Sequence, residues 1–371
     1  MATAEVKIPT HHKALVYDKP GEISTKIETI ETPKPGVGEV LINLTHSGVC
    51  HSDQAVMCNR WKWLPAATQA GQVGGHEGVG TVVAFGDGAE ASGLKIGQRV
   101  GIKWMAYACL NCLPCMSGRD ACCTTGRISG FYTPGTFQEY ALGPANYVTP
   151  IPDGLSSEMA APLLCGGVTV YAGLKKTLAQ PGDSIVIPGA GGGLGHLAVQ
   201  IGKGMGYRIL AIDNGDKEDF VKGLGAEAFF DISKYGRDAE GNKKLADDVK
   251  KASSEGMGAA GVVMCTASNA AYAQALSFLR FGGTLVCVGV PEGDPVPIGG
   301  ADPASMLAQE LRIVGSAVGN RKDAIETMNM AARGIVKTHF TLEPMSKLTE
   351  TFEKMDQMKL QGRVVIDLSK E

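Results

Sequence analysis

Four cysteines stand close together in one short stretch, as Cys109-x2-Cys112-x2-Cys115-x7-Cys123. Thiolates at this spacing can close a tetrahedral all-cysteine zinc site with no position left for a substrate, so the expected role is structural. The bland alternative is four reduced thiols without a metal. Cys122 abuts Cys123, and the spacing lets either supply the fourth sulfur. A second set of metal-type residues is dispersed: Cys50 in GVCHSD (48–53), His76 in GGHEGVG (74–80) and Cys165 in PLLCGG (162–167). Scattered residues of these types are more often buried structural side chains than ligands.

A third group could hold a dinucleotide. Gly189, Gly191, Gly192, Gly193, Leu194 and Gly195 make a glycine-rich turn between an apolar run at 185–187 and a helical pattern at 194–205. Glycine lets backbone approach a pyrophosphate, and the helix that follows offers its first amides and its dipole. The strict G-x-G-x-x-G spacing fails when started at Gly189, because Leu194 stands at the last glycine position. Either the loop is one residue longer or it starts at Ala190. Asp213 closes the next strand-like run, where a carboxylate can bond the adenosine ribose and repel a 2′-phosphate. NAD is therefore expected in preference to NADP. Without a ligand, Asp213 would be an ordinary turn aspartate before Asn214-Gly215.

These residues need elements to hold them. Up to about residue 150 the chain shows short β-prone runs at 40–44, 80–84 and 97–102 with no alternating helices, which predicts a largely β domain. From 185 to 315 apolar runs alternate with helical patterns, which predicts a six-stranded doubly wound parallel sheet. Residues 236–248 are polar and read as an exposed excursion, with the helix expected at 245–253. The tail from about 319 reads as helical, and its last run, 363–367, is expected to return to the first domain. The expected division is 1–164 with 309–371, including a cysteine lobe at 109–123, against 165–308.

Composition excludes several classes. With 371 residues and 44% hydrophobic content, there is enough apolar material for two cores without disulfide staples. A net charge of −3 without long single-sign runs argues against nucleic-acid or membrane-surface partners. The start, residues 1–17, shows no signal-peptide pattern, and the most apolar stretch, 160–174, is broken by Pro162, Gly166, Gly167 and Gly173. A cytoplasmic, reducing setting is expected, in which the 10 cysteines serve as ligands or small buried apolar groups.

Together the segments GVCHSD, GGHEGVG, the four cysteines, CGGVTVY (165–171) and GAGGGLG (189–195) resemble the zinc-dependent medium-chain alcohol dehydrogenases, especially their yeast and fungal branch. The resemblance runs almost end to end. It implies a GroES-like, mainly β catalytic domain beside a Rossmann-type cofactor domain, with two zinc ions and NAD. Positions matching Cys50, His76 and Cys165 hold the catalytic zinc. Two cysteines and one histidine around a catalytic zinc are the ligand set of the alcohol dehydrogenases. Glu77 matches the acidic residue beside that metal and is counted with its ligands; Asp53 matches the residue that orients the histidine. The implied chemistry is reversible transfer of a hydride between a primary or secondary alcohol and NAD. Zinc lowers the pKa of the bound alcohol, and Ser52 takes the proton and passes it on.

The resemblance also implies cofactor contacts at His51, Lys217, Val288, Val290 and Arg363, and a substrate wall at Trp104 and Trp61. The segment carrying Trp61 and Trp63 is about three residues longer than in the yeast enzymes, and Trp104 serves equally well as a core aromatic. One position departs from the family: Ala55 stands where relatives end the proton relay with histidine, so the proton is expected to leave through water or another group. The expected partners are a small alcohol or aldehyde and further copies of the chain, as dimer or tetramer, with Ile313 and Val314 on the pairing edge. Three alternatives stand beside this reading. A zinc-free reductase of the same superfamily would lack the ligands just named. A catalytically silent zinc- and NAD-binding protein would keep them without turnover. A dehydrogenase for a bulky specialised aldehyde or alcohol would keep the mechanism.

Overall fold

The structure, a computed structural model, describes residues 7–292, 294 and 296–371. The first part of the leader-free reading, residues 1–6, lies outside them. The chain forms two compact units: Met1–Cys165 with Asn320–Ala332 and Phe340–Glu371, and Gly166–Gly319 with Arg333–His339.

In the second unit, six strands lie parallel in the order Ala228–Asp231, Arg208–Asp213, Ser184–Pro188, Ala259–Met264, Leu279–Cys287, Arg312–Gly315. The central strand reads SIVIP and is buried throughout, as a parallel strand covered on both faces must be. Burying a side chain such as Ile185 or Ile187 contributes roughly 1.5–3 kcal/mol. The strand order reverses beside Ser184–Pro188, the place where a doubly wound sheet opens a crevice for a ligand.

Two expectations change here. Return to the first unit comes at Asn320 and not at 309, because Arg312–Gly315 still pairs in parallel with Leu279–Cys287. Residues 236–248 are not an excursion. They include the first turns of helix Ala239–Ala252, whose N-terminus is capped by the Asp238 carboxylate accepting from the Gly241 N–H. Leu245, Ala246 and Val249 are buried, so an otherwise polar sequence supplies only a narrow apolar stripe.

The first unit is mainly β. Its long strand Glu39–Val49 is antiparallel to Gly78–Phe85 on one side. The other side is shared, by Tyr140–Pro144 along residues 39–43 and by Arg363–Asp367 along 46–49. The last strand therefore joins this unit, as the sequence pattern implies. Phe340–Pro344 is an unforeseen strand beside it, with an irregular, half-exposed side-chain pattern that carries no strand periodicity.

Candidate metal centres and cofactor turn

Register in the first unit's sheet gathers the dispersed residues. Cys50 follows directly after Val49, and Glu77 directly precedes Gly78, which is paired with Ser47. Arg363 begins the last strand, where Val364 is paired with Val49. Ends of three neighbouring strands therefore meet. Cys165, after the short helical turn Ala161–Leu164, completes the group. The ligand atoms of Cys50, His76, Glu77 and Cys165 all lie within 4.8 Å of one another, and all four residues are buried.

Close packing explains the glycines around them. A Cβ on Gly48 would fall 1.9 Å from Glu77 Oε2, so only glycine lets that carboxylate reach the group. Gly75 has φ +92°, a left-handed conformation that glycine adopts without steric cost. A Cβ on Gly74 would lie 2.3 Å from the hydroxyl of the buried Tyr17.

Hydrogen bonds then set each donor. Helix His51–Met57 starts at Cys50, and its Asp53 carboxylate accepts the Cys50 N–H at 2.9 Å. The other Asp53 oxygen lies 2.7 Å from His76 Nδ1. With Nδ1 as the N–H donor, His76 Nε2 keeps its lone pair. Among the described residues that atom is buried with no hydrogen-bond partner, and Glu77 Oε2 is in the same condition. Glu77 Oε1 accepts from the buried Arg363 guanidinium. Arg363, for which family resemblance implies a cofactor contact, makes this pairing from the first residue of the last strand. Thr136, missed in the sequence, accepts the Glu77 N–H at 3.2 Å and bonds Ser47 Oγ at 2.7 Å. A lone threonine far along the chain carries no signal for such a role.

Charge states follow from these contacts. A hydrogen bond from Cys165 holds the Cys50 thiol well below its ordinary range, with Arg363 and His76 adding to the effect. Donating that bond, and burial, push Cys165 well above it. Burial raises Glu77 to about 7 against the opposing pull of Arg363. For His76, burial disfavours the charged ring, but the Asp53 carboxylate outweighs it and the net direction is upward. Two sulfurs, an imidazole lone pair and a carboxylate oxygen converging in a buried place fit a divalent cation such as zinc, which stabilises both thiolates and satisfies the orphaned atoms.

The aromatic side chains form a ladder ending at the same histidine. Trp63, 62% exposed, stacks on buried Trp61 at 5.3 Å. Trp61 meets Trp104 edge-on at 6.1 Å, and Trp104 meets His76 edge-on at 4.9 Å. Ser52 Oγ lies 3.7 Å from Cys50 Sγ. His51, the first residue of the helix, is exposed, and Ala55 is fully buried.

The local cysteines form a second group. Cys109, Cys112, Cys115 and Cys123 bring their sulfurs within 4.8 Å of one another, while Cys122 is exposed and stays outside. Backbone amides point at the sulfurs: Cys109 N donates to Cys123 Sγ and Cys112 N to Cys109 Sγ, each at 3.3 Å. Such amides hold Cys112 down at about 6, whereas burial pushes Cys115 up to about 12. Four sulfurs in this cage also fit zinc, with no open position.

In the second unit the last glycine of the turn is Gly195. A Cβ there would lie 2.0 Å from the Gly189 carbonyl oxygen, so the loop is one residue longer than the strict spacing. Gly189 itself has φ +77°. Helix Gly195–Gly204 follows, with Leu194 as its cap, while Gly193 lies in the loop before it. Asp213 reaches back into the loop: one oxygen accepts the Gly191 N–H at 2.8 Å, the other the Asn214 N–H at 2.8 Å and Lys217 Nζ at 3.2 Å. Val288 is buried, packed near Gly173, and Val290 is exposed.

Buried thiol–imidazole and four-thiol groups on a chain that also carries a doubly wound sheet fit a metal-binding protein of the doubly wound class. Known proteins narrow that class. Residues 36–153 match the family described as "Alcohol dehydrogenase GroES-like domain", and residues 193–333 match "Zinc-binding dehydrogenase". The chain is 59% identical over 369 residues to alcohol dehydrogenase 2 of Emericella nidulans, covering 99% of this chain and 100% of that one. It is 42% identical to an alcohol dehydrogenase of Schizosaccharomyces pombe, covering 96% and 97%. Among solved structures, acetophenone reductase from Geotrichum candidum in complex with NAD superposes with a TM-score of 0.82 at 28% identity, covering 98% of both chains. The chain belongs to the zinc-binding medium-chain alcohol dehydrogenases and is an oxidoreductase of that family.

Proposed function

We propose that the chain transfers a hydride reversibly between a primary or secondary alcohol and NAD at the Cys50, His76, Cys165 group. The observation that carries this is His76 Nε2, buried without a partner while Asp53 fixes the opposite ring nitrogen as the donor. Bound zinc there supplies a Lewis acid for the substrate oxygen, and NAD supplies the hydride acceptor. Cys50, His76 and Cys165 hold the metal, and Glu77 lends a carboxylate oxygen. Asp53 keeps the imidazole tautomer and ring plane. Ser52, at the start of its helix, takes the alcohol proton and hands it to water, since Ala55 has no group that can accept a proton. Cys109, Cys112, Cys115 and Cys123 hold a second, structural zinc.

In the other unit the 189–195 turn and its helix N-terminus receive the pyrophosphate. Asp213, with Lys217, meets the adenosine ribose and excludes a 2′-phosphate, which favours NAD. His51, Val288, Val290 and Arg363 are further cofactor contacts carried by family resemblance. Trp104 and Trp61 wall the substrate, and the stacked ladder favours small or flat alcohols.

Self-association is assigned to the outer edge of Arg312–Gly315, which is paired on one side only and lies in a chain with exposed Phe281 and Leu307. A cytoplasmic setting is assigned from the ten free cysteines: six lie in the two metal-type groups, and none is needed to staple the fold. Among the described residues no helix is long and apolar enough to cross a membrane.

The test is NADH formation by zinc-loaded protein with alcohols graded from ethanol to bulky aromatic ones, with zinc counted per chain. We expect two zinc ions and a rate that falls with alcohol bulk. A rate confined to bulky aromatic alcohols would move the substrate to specialised metabolism; no rate with any alcohol in zinc-replete protein would overturn the catalytic reading.

A further inference from the structure

The second unit carries a cleft of about 680 Å³ that the dehydrogenase reading does not use. It lies between the C-terminal half of helix Gly195–Gly204, one face of helix Glu218–Leu224 and the segment Arg333–His339. Its volume is in the range of small-molecule sites. The floor is apolar, from Phe220, Leu224 and Ile335, and His339 stands edge-on to the Phe220 ring at 5.1 Å and 90°. Lys203 and Lys337 line it together with one carboxylate residue, Asp219, so the lining is net positive.

The wall is fixed, not draped. Gln200 Nε2 donates to the Lys337 carbonyl oxygen, and the Lys337 N–H donates to Gln200 Oε1, both at 3.0 Å. The His339 N–H donates to His196 Nε2 at 3.4 Å, and His196 Nδ1 in turn bonds the Gly192 carbonyl oxygen at 2.9 Å. His196 is fully buried. A chain of hydrogen bonds thus runs from the rim of the cleft to the glycine turn.

The chemistry selects the ligand. An apolar floor with a ring beside it suits a flat aromatic body, and the ammonium groups suit one anionic charge. With two lysines against one aspartate, the lining carries a single net positive charge, which suits a monoanion better than a dense dianion such as phosphate. We propose that this cleft is a second ligand site for a planar aromatic monocarboxylate, and that its occupancy is felt at the glycine turn through His339, His196 and Gly192. The coupling half rests on the reading of that turn as the NAD site; the binding half does not.

Gly223 gives the test. It lies within helix Glu218–Leu224, and a Cβ built on it meets nothing within 4 Å, so Gly223→Phe fills the cleft without backbone strain. The probe is 1-naphthoate, titrated calorimetrically into zinc-loaded enzyme with and without saturating NADH. We expect saturable binding in both cases, weakened about tenfold or more by Gly223→Phe and by Lys203→Ala/Lys337→Ala, and not displaced by equal inorganic phosphate. Naphthoate should also change the NADH dissociation constant about fivefold in the unaltered enzyme and not in Gly223→Phe. Equal binding to the unaltered and filled proteins, absence of saturable binding, or displacement by phosphate overturns the site. An unchanged NADH constant overturns the coupling. Failure of the unaltered protein to bind NADH at all defeats the cofactor reading of the turn, while the titration without NADH still decides the cleft. If Gly223→Phe does not fold by circular dichroism, the lysine pair decides.

Discussion

Cys109, Cys112, Cys115 and Cys123 come from one lobe whose Leu113 and Met116 face solvent, and their own backbone amides hold the sulfurs. Cys50, His76, Glu77 and Cys165 come from separate segments, are all buried, and are held by Asp53, Thr136 and Arg363. The first group is a local cage, and its geometry depends on a few turns. The second is a product of sheet register, and its geometry depends on the whole first unit. Each has a different vulnerability: the cage can open while the sheet stands, whereas the buried group loses its chemistry when any one donor goes.

The largest expected effect comes from damaging each in turn. His76→Ala should remove one of two zinc ions and lower alcohol turnover by about 1,000-fold or more, and should also lower the melting temperature, because Asp53 is left buried without its partner. Cys112→Ser should remove the other zinc, lower the melting temperature by about 5 °C or more, and leave turnover at low temperature within about threefold. Metal content by mass spectrometry and a melting curve check both variants, and the rate distinguishes them. Equal loss of activity in both variants would erase the division of labour.

The same contrast explains what could be read from the residues. Cys109 to Cys123 declare themselves through spacing, because ligands near in sequence are near in space. The 185–187 and 259–264 strands declare themselves through unbroken apolar character, because both faces are covered. Thr136 and the pairing of Arg363 with Glu77 do not, because they depend on which strand lies beside which. Family resemblance brought Cys50, His76 and Cys165 together where spacing could not. Helix Ala239–Ala252 was half lost in the sequence because its buried stripe is only Leu245, Ala246 and Val249 beyond its cap. Strand Phe340–Pro344 was lost because it lacks alternation.

Asp53 tests how far the buried group depends on its supports. Both carboxylate oxygens accept, one from Cys50 N–H and one paired with His76 Nδ1. Asp53→Asn keeps one acceptor and turns an amide N–H toward the other donor. The imidazole should then lose its fixed tautomer, with zinc affinity at this site falling about 10- to 100-fold while the four-cysteine zinc is retained. Chelator competition reads both sites in one experiment, and an unchanged affinity at the buried site would show that Asp53 positions nothing.

The smallest effect concerns the seam behind the cage. Tyr147 donates its hydroxyl to Asp120, within the cysteine lobe, at 3.1 Å. Lys103 Nζ lies 3.3 Å from the centroid of the Tyr147 ring and donates to the Tyr147 carbonyl oxygen at 3.2 Å. Burial holds the Lys103 ammonium well below its ordinary range; Asp120 opposes that shift and Arg321 adds to it. The unfolded chain therefore binds more protons at this residue than the folded one, from the lowered value up to the free-lysine range near ~10.4. Its cost to stability is greatest toward neutral pH and fades as pH rises to about 10. Lys103→Met keeps the stem and removes the titrating group, so it should stabilise the fold by roughly 1–3 kcal/mol at neutral pH and by close to nothing near pH ~10. Denaturation midpoints at the two pH values measure this. A loss of stability in Lys103→Met would instead mean that Lys103 stays charged in the folded protein, held by Asp120 and the Tyr147 ring, and that the seam is an ionic tether for the cage.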